Sequence, residues 1–246
     1  MAEIVNDDIV KWDLVDIVLI LSLTFGLTSL CFWGLEWIID LFFQFDYLRL
    51  IKPLLLNLIQ ALLLAGITLF LVLNKYGVSL KEFGLKNENF VTNLKYGALS
   101  GTIICLIIVI LNNFLYGLVF NLFGVEAPAQ QVVYNLLNSQ NILIFLVQSA
   151  IIIIIAPITE EIFFRGFLYP YCKSKFGKSK GLILNGALFG LAHFSLWVFL
   201  PTFLGGVILA WLYDKTNSLY SSIIAHGVWN LLVVIVIYIV WYLDVI

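Results

Sequence analysis

Charged residues are scarce in this chain of 246 residues: they make up 11% of it, whereas 62% of its residues are hydrophobic. A water-soluble domain carries roughly a quarter charged residues. The mean hydropathy is +1.05, the net charge is only −2, and no basic stripe alternates with aromatic residues, which argues against nucleic acid as a partner. We therefore predict an all-α fold, a polytopic transmembrane helical bundle within a lipid bilayer.

Cysteines are few, and the first eight residues contain no lysine or arginine. The three cysteines, Cys31, Cys105 and Cys172, are too scattered for a disulfide framework or a four-ligand metal site. Residues 1–8 are acidic and lack the basic start of a secretory signal, so we expect the first apolar stretch to remain in the mature protein.

Long apolar stretches define the predicted spans, because about 20 apolar residues cross a bilayer as a helix. The sequence offers seven: 14–41, 53–74, 95–123, 141–171, 180–197, 199–213 and 219–243. The fifth and sixth stretches are short. The third or fourth is long enough to contain an additional interfacial or re-entrant segment, so eight helices are the alternative to seven. Residues 126–139 are predicted to form an amphipathic helix at the membrane surface.

The lysines predict the orientation, because basic residues concentrate on the cytoplasmic side. With seven spans and a cytoplasmic N-terminus, ten lysines fall on that side and only Arg49 and Lys52 on the other. The ten are Lys11, Lys75, Lys81, Lys86, Lys95, Lys173, Lys175, Lys178, Lys180 and Lys215. Small residues at four-residue spacing, in Gly97–Gly101, Gly186–Gly190 and Gly206–Ala210, predict close helix packing.

Three charged residues interrupt the fourth predicted span. A charge at membrane depth costs at least a few kcal/mol, so such residues are often functional. Glu161 and Arg165 are one helical turn apart and are predicted to pair, whether as a structural clamp or as part of a site. Glu160 points in another direction around the helix and lacks an obvious local partner, which makes it the candidate for chemistry.

Both histidines also lie inside predicted spans. His193 follows Phe189 by four residues, so the phenyl ring can support the imidazole, and His226 precedes Asn230 by four on one helix face. Helical rise places Glu160, His193 and His226 about 15–20 Å from the lysine-rich segments. Taken singly, each residue also has a structural interpretation: a membrane histidine can simply pack between helices, and an asparagine can hydrogen-bond to a neighbouring helix. Their common depth favours one site.

These three motifs, Glu160-Glu161-x-x-x-Arg165, Phe189-x-x-x-His193 and His226-x-x-x-Asn230, resemble the CPBP family of intramembrane proteases. That family includes CAAX prenyl-protein endopeptidases and bacterial proteins linked to bacteriocin processing and immunity. The resemblance covers roughly residues 140–235, and it divides the chain into N-terminal helices with an interfacial segment (1–139) and a catalytic core (140–246). It implies a multi-pass protein of a prokaryotic plasma membrane.

The resemblance implies hydrolysis of peptide bonds in membrane-embedded or lipid-modified (CAAX-type) substrates. Glu160 would act as general base on a water with help from His193, while His226 and Asn230 would donate hydrogen bonds to the oxyanion. Glu161, Arg165 and Phe189 would support them. No serine or cysteine occupies a comparable place, which disfavours an acyl-enzyme.

The sequence also allows a metal site and two other functions. Glu160, His193 and His226 can in principle supply three ligands to Zn²⁺, although Asn230 and the paired Glu161 favour a site without metal or other cofactor. A non-catalytic membrane partner or immunity protein that keeps the protease fold is the main alternative function. A proton-coupled transporter is less favoured, because the loops are short and an amide accompanies the imidazoles.

Overall fold

The computed structural model describes residues 10–42, 46–86, 89–125, 128 and 130–245, with the backbone alone for those between 39 and 51 and at 244–245. The described residues form eight helices and no strand. Their bounds are α1 (Leu14–Phe42), α2 (Asp46–Phe70, continued by a π-helical turn at Leu71–Lys75), α3 (Phe90–Phe123), α4 (Gln131–Leu137), α5 (Ile142–Phe176), α6 (Lys178–Leu191), α7 (Leu196–Thr216) and α8 (Leu219–Val245). The predicted all-α bundle is confirmed.

Six of the described helices are long and apolar enough to cross a membrane: α1, α2, α3, α5, α7 and α8. The predicted fifth span, 180–197, corresponds to α6, which has 14 residues and extends only about 21 Å. The helix ends at Leu191, and His193 lies in the following turn. The prediction that His193 lies inside a span was therefore wrong.

The described lysine-rich segments meet at one end of the bundle, which we call the lysine-rich end. Lys11 donates to the Tyr76 carbonyl at 3.1 Å, and Lys75 pairs with Asp16 at 2.5 Å. At the same end, the Asp214 carboxylate of α7 forms ion pairs with Nζ of Lys173 at 3.1 Å and with Nζ of Lys178 at 2.6 Å. This clustering agrees with the distribution from which we predicted a cytoplasmic N-terminus, and the side of the membrane stays a prediction.

The short helix α4 packs at the opposite, lysine-poor end. Trp241, near the end of α8, donates its indole N–H to the Ser139 carbonyl at 3.1 Å. Leu136 of α4 packs in a small apolar cluster with Phe145 and Trp241. A short helix therefore forms within the predicted interfacial segment 126–139. The predicted boundary at residue 139 falls in the loop before α5.

Small residues allow the helices around the site to pack closely. A Cβ on Gly101 would lie 2.3 Å from the Ala225 carbonyl oxygen of α8, and one on Gly186 would lie 2.9 Å from the Phe203 carbonyl oxygen of α7. On the other side of the α6–α7 contact, a Cβ on Gly206 would lie 3.0 Å from Cα of Gly186. All three small-residue motifs therefore lie at helix contacts, as predicted.

Several sequence-based expectations fall outside the description. The acidic residues 1–8 and residues 126, 127 and 129 of the interfacial segment are not among the described residues, nor is the side chain of Arg49.

Candidate active site

The backbone around the two glutamates departs from the regular α-helix. Within α5, π-helical segments at Ile151–Ile155 and Ile162–Leu168 flank Glu160 and Glu161. Such π segments are rare and frequently mark functional sites. Here they surround the only pair of adjacent glutamates in the chain.

Pro157 explains where the first π segment ends. The Ala156 N–H donates to the carbonyl of Ile151, five residues earlier. In this register the carbonyl of Ile152 would accept a hydrogen bond from the N–H of residue 157, but residue 157 is a proline and has no N–H. Asn230 of α8 replaces it, because its Nδ2 donates to the Ile152 carbonyl at 2.8 Å. Asn230 is thus an anchor between α8 and α5, which is the structural role that a membrane asparagine commonly has; the partner, Ile152, was not predicted.

The predicted Glu161–Arg165 ion pair forms and is completely buried. Nη1 of Arg165 lies 2.6 Å from Oε1 of Glu161, and both side chains have 0% exposure. Nη2 of Arg165 donates to the Gly206 carbonyl of α7 at 3.1 Å. The guanidinium also lies 4.3 Å from the Phe189 ring centroid, a cation–π distance. This pair therefore joins α5 to α6 and α7.

His226 extends this pair into a network between α5 and α8. Its Nδ1 lies 2.9 Å from Oε1 of Glu161, an oxygen that in a carboxylate only accepts hydrogen bonds. Nδ1 therefore carries the proton, and Nε2 faces the opposite way. Nε2 lies 4.0 Å from Oε2 of Glu160. The buried His226 ring is thus held by one glutamate and directed at the other.

Glu160 and Glu161 have different surroundings although they are adjacent in sequence. The Glu160 side chain keeps 30% of its exposure, whereas Glu161 keeps none. A partly exposed carboxylate beside a fixed imidazole can accept a proton from a small molecule such as water. The structure thus separates one accessible acid from one buried acid.

Phe189 joins the two histidines. Its buried ring lies 4.9 Å from the His193 ring and 5.7 Å from the His226 ring, both edge-to-face. The predicted contact between Phe189 and His193 is therefore present. Nδ1 of His193 also lies 2.9 Å from the Phe189 carbonyl, which can only accept. In the neutral form of the His193 ring, Nδ1 therefore carries the proton and Nε2 carries the lone pair.

A cavity of about 840 Å³ opens beside His193. Its wall comes from the start of α2, from α4, from the beginning of α5 and from the turn that carries His193. Of the four predicted catalytic residues, His193 lines it, and Ile152, the partner of Asn230, lines it as well. Glu160 lies eight residues beyond Ile152, about 12 Å further along α5.

The alternative zinc ligands do not form a metal site. Where the structure describes the chain, no three His, Cys, Asp or Glu side chains are grouped so that they could hold a metal ion. The Glu160–His226 contact is 4.0 Å, and His193 joins it only through the Phe189 ring. The donor set Glu160, His193 and His226 therefore does not fit a three-ligand zinc centre here.

Two buried residues of this network were not predicted. Asn185 of α6 donates to the Phe164 carbonyl in the second π segment at 2.8 Å, and the Trp229 ring stacks on His226 with centroids 5.4 Å apart. Asn185 directly precedes Gly186 of a small-residue motif, and a polar residue on such a face was the available signal. Nothing in the sequence distinguished Trp229 from the other tryptophans.

The region that contains the site is similar to a known protein family. Residues 142–232 match the family model described as type II CAAX prenyl endopeptidase Rce1-like. This segment is therefore similar to that family. The matched residues include every glutamate, histidine and asparagine of the network described above, which confirms the resemblance stated from the three motifs. The family is one of proteases, and the chain is an integral membrane protein.

Two curated relatives come from Lactococcus lactis subsp. lactis (strain IL1403). UPF0177 protein YxdF is 33% identical over 87 residues, which are 35% of this chain and 48% of that protein. UPF0177 protein YbdI is 35% identical over 86 residues, which are 35% of this chain and 46% of that protein. The chain thus spans about half the length of the curated relatives it matches. No solved structure matches it.

Proposed function

We propose that this protein is an intramembrane endopeptidase that hydrolyses peptide bonds of membrane-embedded or lipid-modified substrates with a water activated by Glu160. The observation that carries the proposal is the His226 ring, which is held by buried Glu161 and faces partly exposed Glu160 at 4.0 Å. The match of residues 142–232 to the family model of CAAX prenyl endopeptidases supports the same reaction class.

In the proposed reaction, Glu160 takes a proton from water while the water oxygen attacks the carbonyl carbon of the scissile peptide. The tetrahedral intermediate carries its negative charge on the former carbonyl oxygen. Its collapse breaks the C–N bond, and the proton held by Glu160 passes to the leaving nitrogen. The products are a new carboxylic acid and a new amine, and no covalent bond to the protein forms.

His226 and Asn230 are the proposed donors to the intermediate. Because Nδ1 of His226 is engaged by Glu161, the ring donates from Nε2 only when both of its nitrogens carry a proton. Asn230 uses one amide hydrogen on Ile152 and keeps a second. His193, with its lone pair on Nε2 in the neutral form, is proposed to orient the water or share its proton.

The test uses purified protein in liposomes and a pool of synthetic membrane-inserting peptides, with and without a farnesylated C-terminal CAAX sequence. Products are identified by mass spectrometry. The parent should give new peptide termini, whereas Glu160→Gln and His193→Ala should lower their rate of formation by about 10²–10⁴-fold. Glu82→Gln is the matched control, because Glu82 lies in the loop between α2 and α3, where it accepts a hydrogen bond from the backbone N–H of Ser79. Activity should survive chelator treatment.

The alternative is a non-catalytic membrane partner or immunity protein with the same fold. The observation in its favour is that Glu161, Arg165 and Asn230 all make contacts that hold helices together, a role that needs no chemistry. Equal product from the parent, Glu160→Gln and His193→Ala would remove the proposed mechanism and leave this alternative.

A further inference from the structure

We propose that the cavity beside His193 is the cleft through which an extended, uncharged peptide segment reaches the site, and that it opens at the lysine-poor end of the bundle. This inference rests on the proposed function and adds to it the side of approach and the chemistry of the bound segment.

The helix contacts place the cavity at the lysine-poor end. Its wall includes Asn57 near the start of α2, whereas Lys75 at the far end of that helix pairs with Asp16. The 18 residues between them correspond to about 27 Å of helix. The wall also includes Ser139, to which Trp241 at the end of α8 is bonded. Both helices therefore lead away from the lysines toward the cavity.

The positive-inside rule then assigns a side. The lysine-rich end is expected to face the cytoplasm, so the cavity opens toward the exterior. A protease acting on cytoplasmic CAAX sequences would need the opposite opening. The geometry thus favours substrates that reach the membrane from outside the cell.

Carboxamides dominate the polar part of the wall. Asn57, Asn135, Asn138, Gln140 and Gln148 all line the cavity, and no lining side chain in the described part of the chain is charged. Each carboxamide both donates and accepts hydrogen bonds, as a peptide unit does. Such a wall suits the N–H and C=O groups of an extended backbone, whereas a charged side chain would find no counterion there.

The inner edge of the cavity meets the proposed machinery. His193 and Ile152 lie in the wall, and Ile152 is bonded to Asn230 one helical turn from His226. Next to His193, Phe194 has a left-handed backbone with φ of 50° and keeps 83% of its exposure. For a bulky residue this conformation is strained, and such strain clusters at functional sites.

The side of approach is tested by thiol labelling in intact spheroplasts with a membrane-impermeant maleimide. Asn138→Cys and Gln140→Cys probe the cavity, and Lys175→Cys probes the lysine-rich end. Cys31 is replaced by alanine in all variants; Cys105 and Cys172 are buried, and a variant without an added cysteine gives the baseline. The cavity positions should label at least about ten times faster than Lys175→Cys, and permeabilisation should remove the difference.

The chemistry of the occupant is tested by protection of Asn138→Cys from the same reagent. A synthetic peptide of uncharged residues should slow labelling at least about threefold, and a matched peptide with a central Lys–Glu pair should not. The experiment is repeated with Glu160→Gln, in which occupancy is measured without cleavage. The cleft is thereby tested separately from the proposed reaction.

Labelling of the cavity positions only after permeabilisation, or in neither condition, would overturn the proposed opening. Equal protection by both peptides, or protection by neither, would overturn the proposed occupant. Protection that persists in Glu160→Gln while cleavage is unaffected by that substitution would leave the cleft in place and reject the proposed mechanism.

Discussion

His226 and Glu161 are 65 residues apart in the sequence, yet Nδ1 of the imidazole lies 2.9 Å from Oε1 of the carboxylate. The same oxygen receives Arg165 at 2.6 Å. Glu161 therefore satisfies a cation and an imidazole at once, in a place where neither carboxylate nor guanidinium is exposed. This arrangement fixes the direction in which Nε2 of His226 points.

The first prediction concerns this buried carboxylate. Glu161→Gln keeps the shape of the side chain but leaves the Arg165 charge unpaired, and breaking a buried pair costs about 3–5 kcal/mol. We expect a marked loss of thermal stability in detergent micelles, measured by the unfolding midpoint. Glu82→Gln, an exposed glutamate, should leave the midpoint within error, and equal midpoints for both variants would contradict the structural role of Glu161.

The second prediction concerns the carbonyl that Pro157 leaves without a helical partner. Asn230→Leu keeps a similar volume but removes the donor to Ile152, which should cost about 1–2 kcal/mol. The measurement is the midpoint of unfolding by SDS titration. Asn121→Leu is the matched control, because Asn121 is exposed near the end of α3. A stability unchanged by Asn230→Leu would show that α5 does not depend on this bond.

The third prediction concerns the contact between α6 and α7. In Gly186→Ala, the added methyl would lie 2.5 Å from Cγ2 of Val207, and overpacking of this kind costs about 1–3 kcal/mol. Gly117→Ala adds the same methyl in α3, where no atom lies within 4 Å. The midpoint temperature of thermal unfolding should therefore be lowered by Gly186→Ala and not by Gly117→Ala. Similar midpoints for the two variants would contradict the close contact between α6 and α7.

Local spacing predicted the contacts between residues that are four apart. Glu161 and Arg165 lie within α5, where helical geometry alone brings them together, and Phe189 contacts His193 although His193 lies in the turn after α6. The contact of His226 with Glu161 was not predicted, because it depends on how α8 packs against α5. The tertiary arrangement, and not spacing, decided which glutamate the imidazole binds.

Hydropathy predicted the bundle but misplaced one helix end. The stretch Phe194-Ser195-Leu196-Trp197 is almost as apolar as the helix before it, so a window over 180–197 does not register the turn. The chain nevertheless leaves the helix after Leu191, and Phe194 adopts a left-handed conformation. Pro157 carried a signal that was overlooked, since a proline inside an apolar helix always leaves a carbonyl to be satisfied elsewhere.

The central claim is that Glu160 activates the attacking water and that His226 stabilises the intermediate which this water forms, so that the two residues act as a unit. The most direct measurement compares kcat for peptide cleavage in the parent, Glu160→Gln, His226→Gln and the double variant, with each variant first shown to be folded by its unfolding midpoint. We predict that each single substitution lowers kcat by about 10²–10⁴-fold and that the double variant is no slower than the slower single variant, because residues that act as a unit are not additive. A folded Glu160→Gln or His226→Gln variant that cleaves at the parental rate would contradict the account, as would losses that multiply in the double variant.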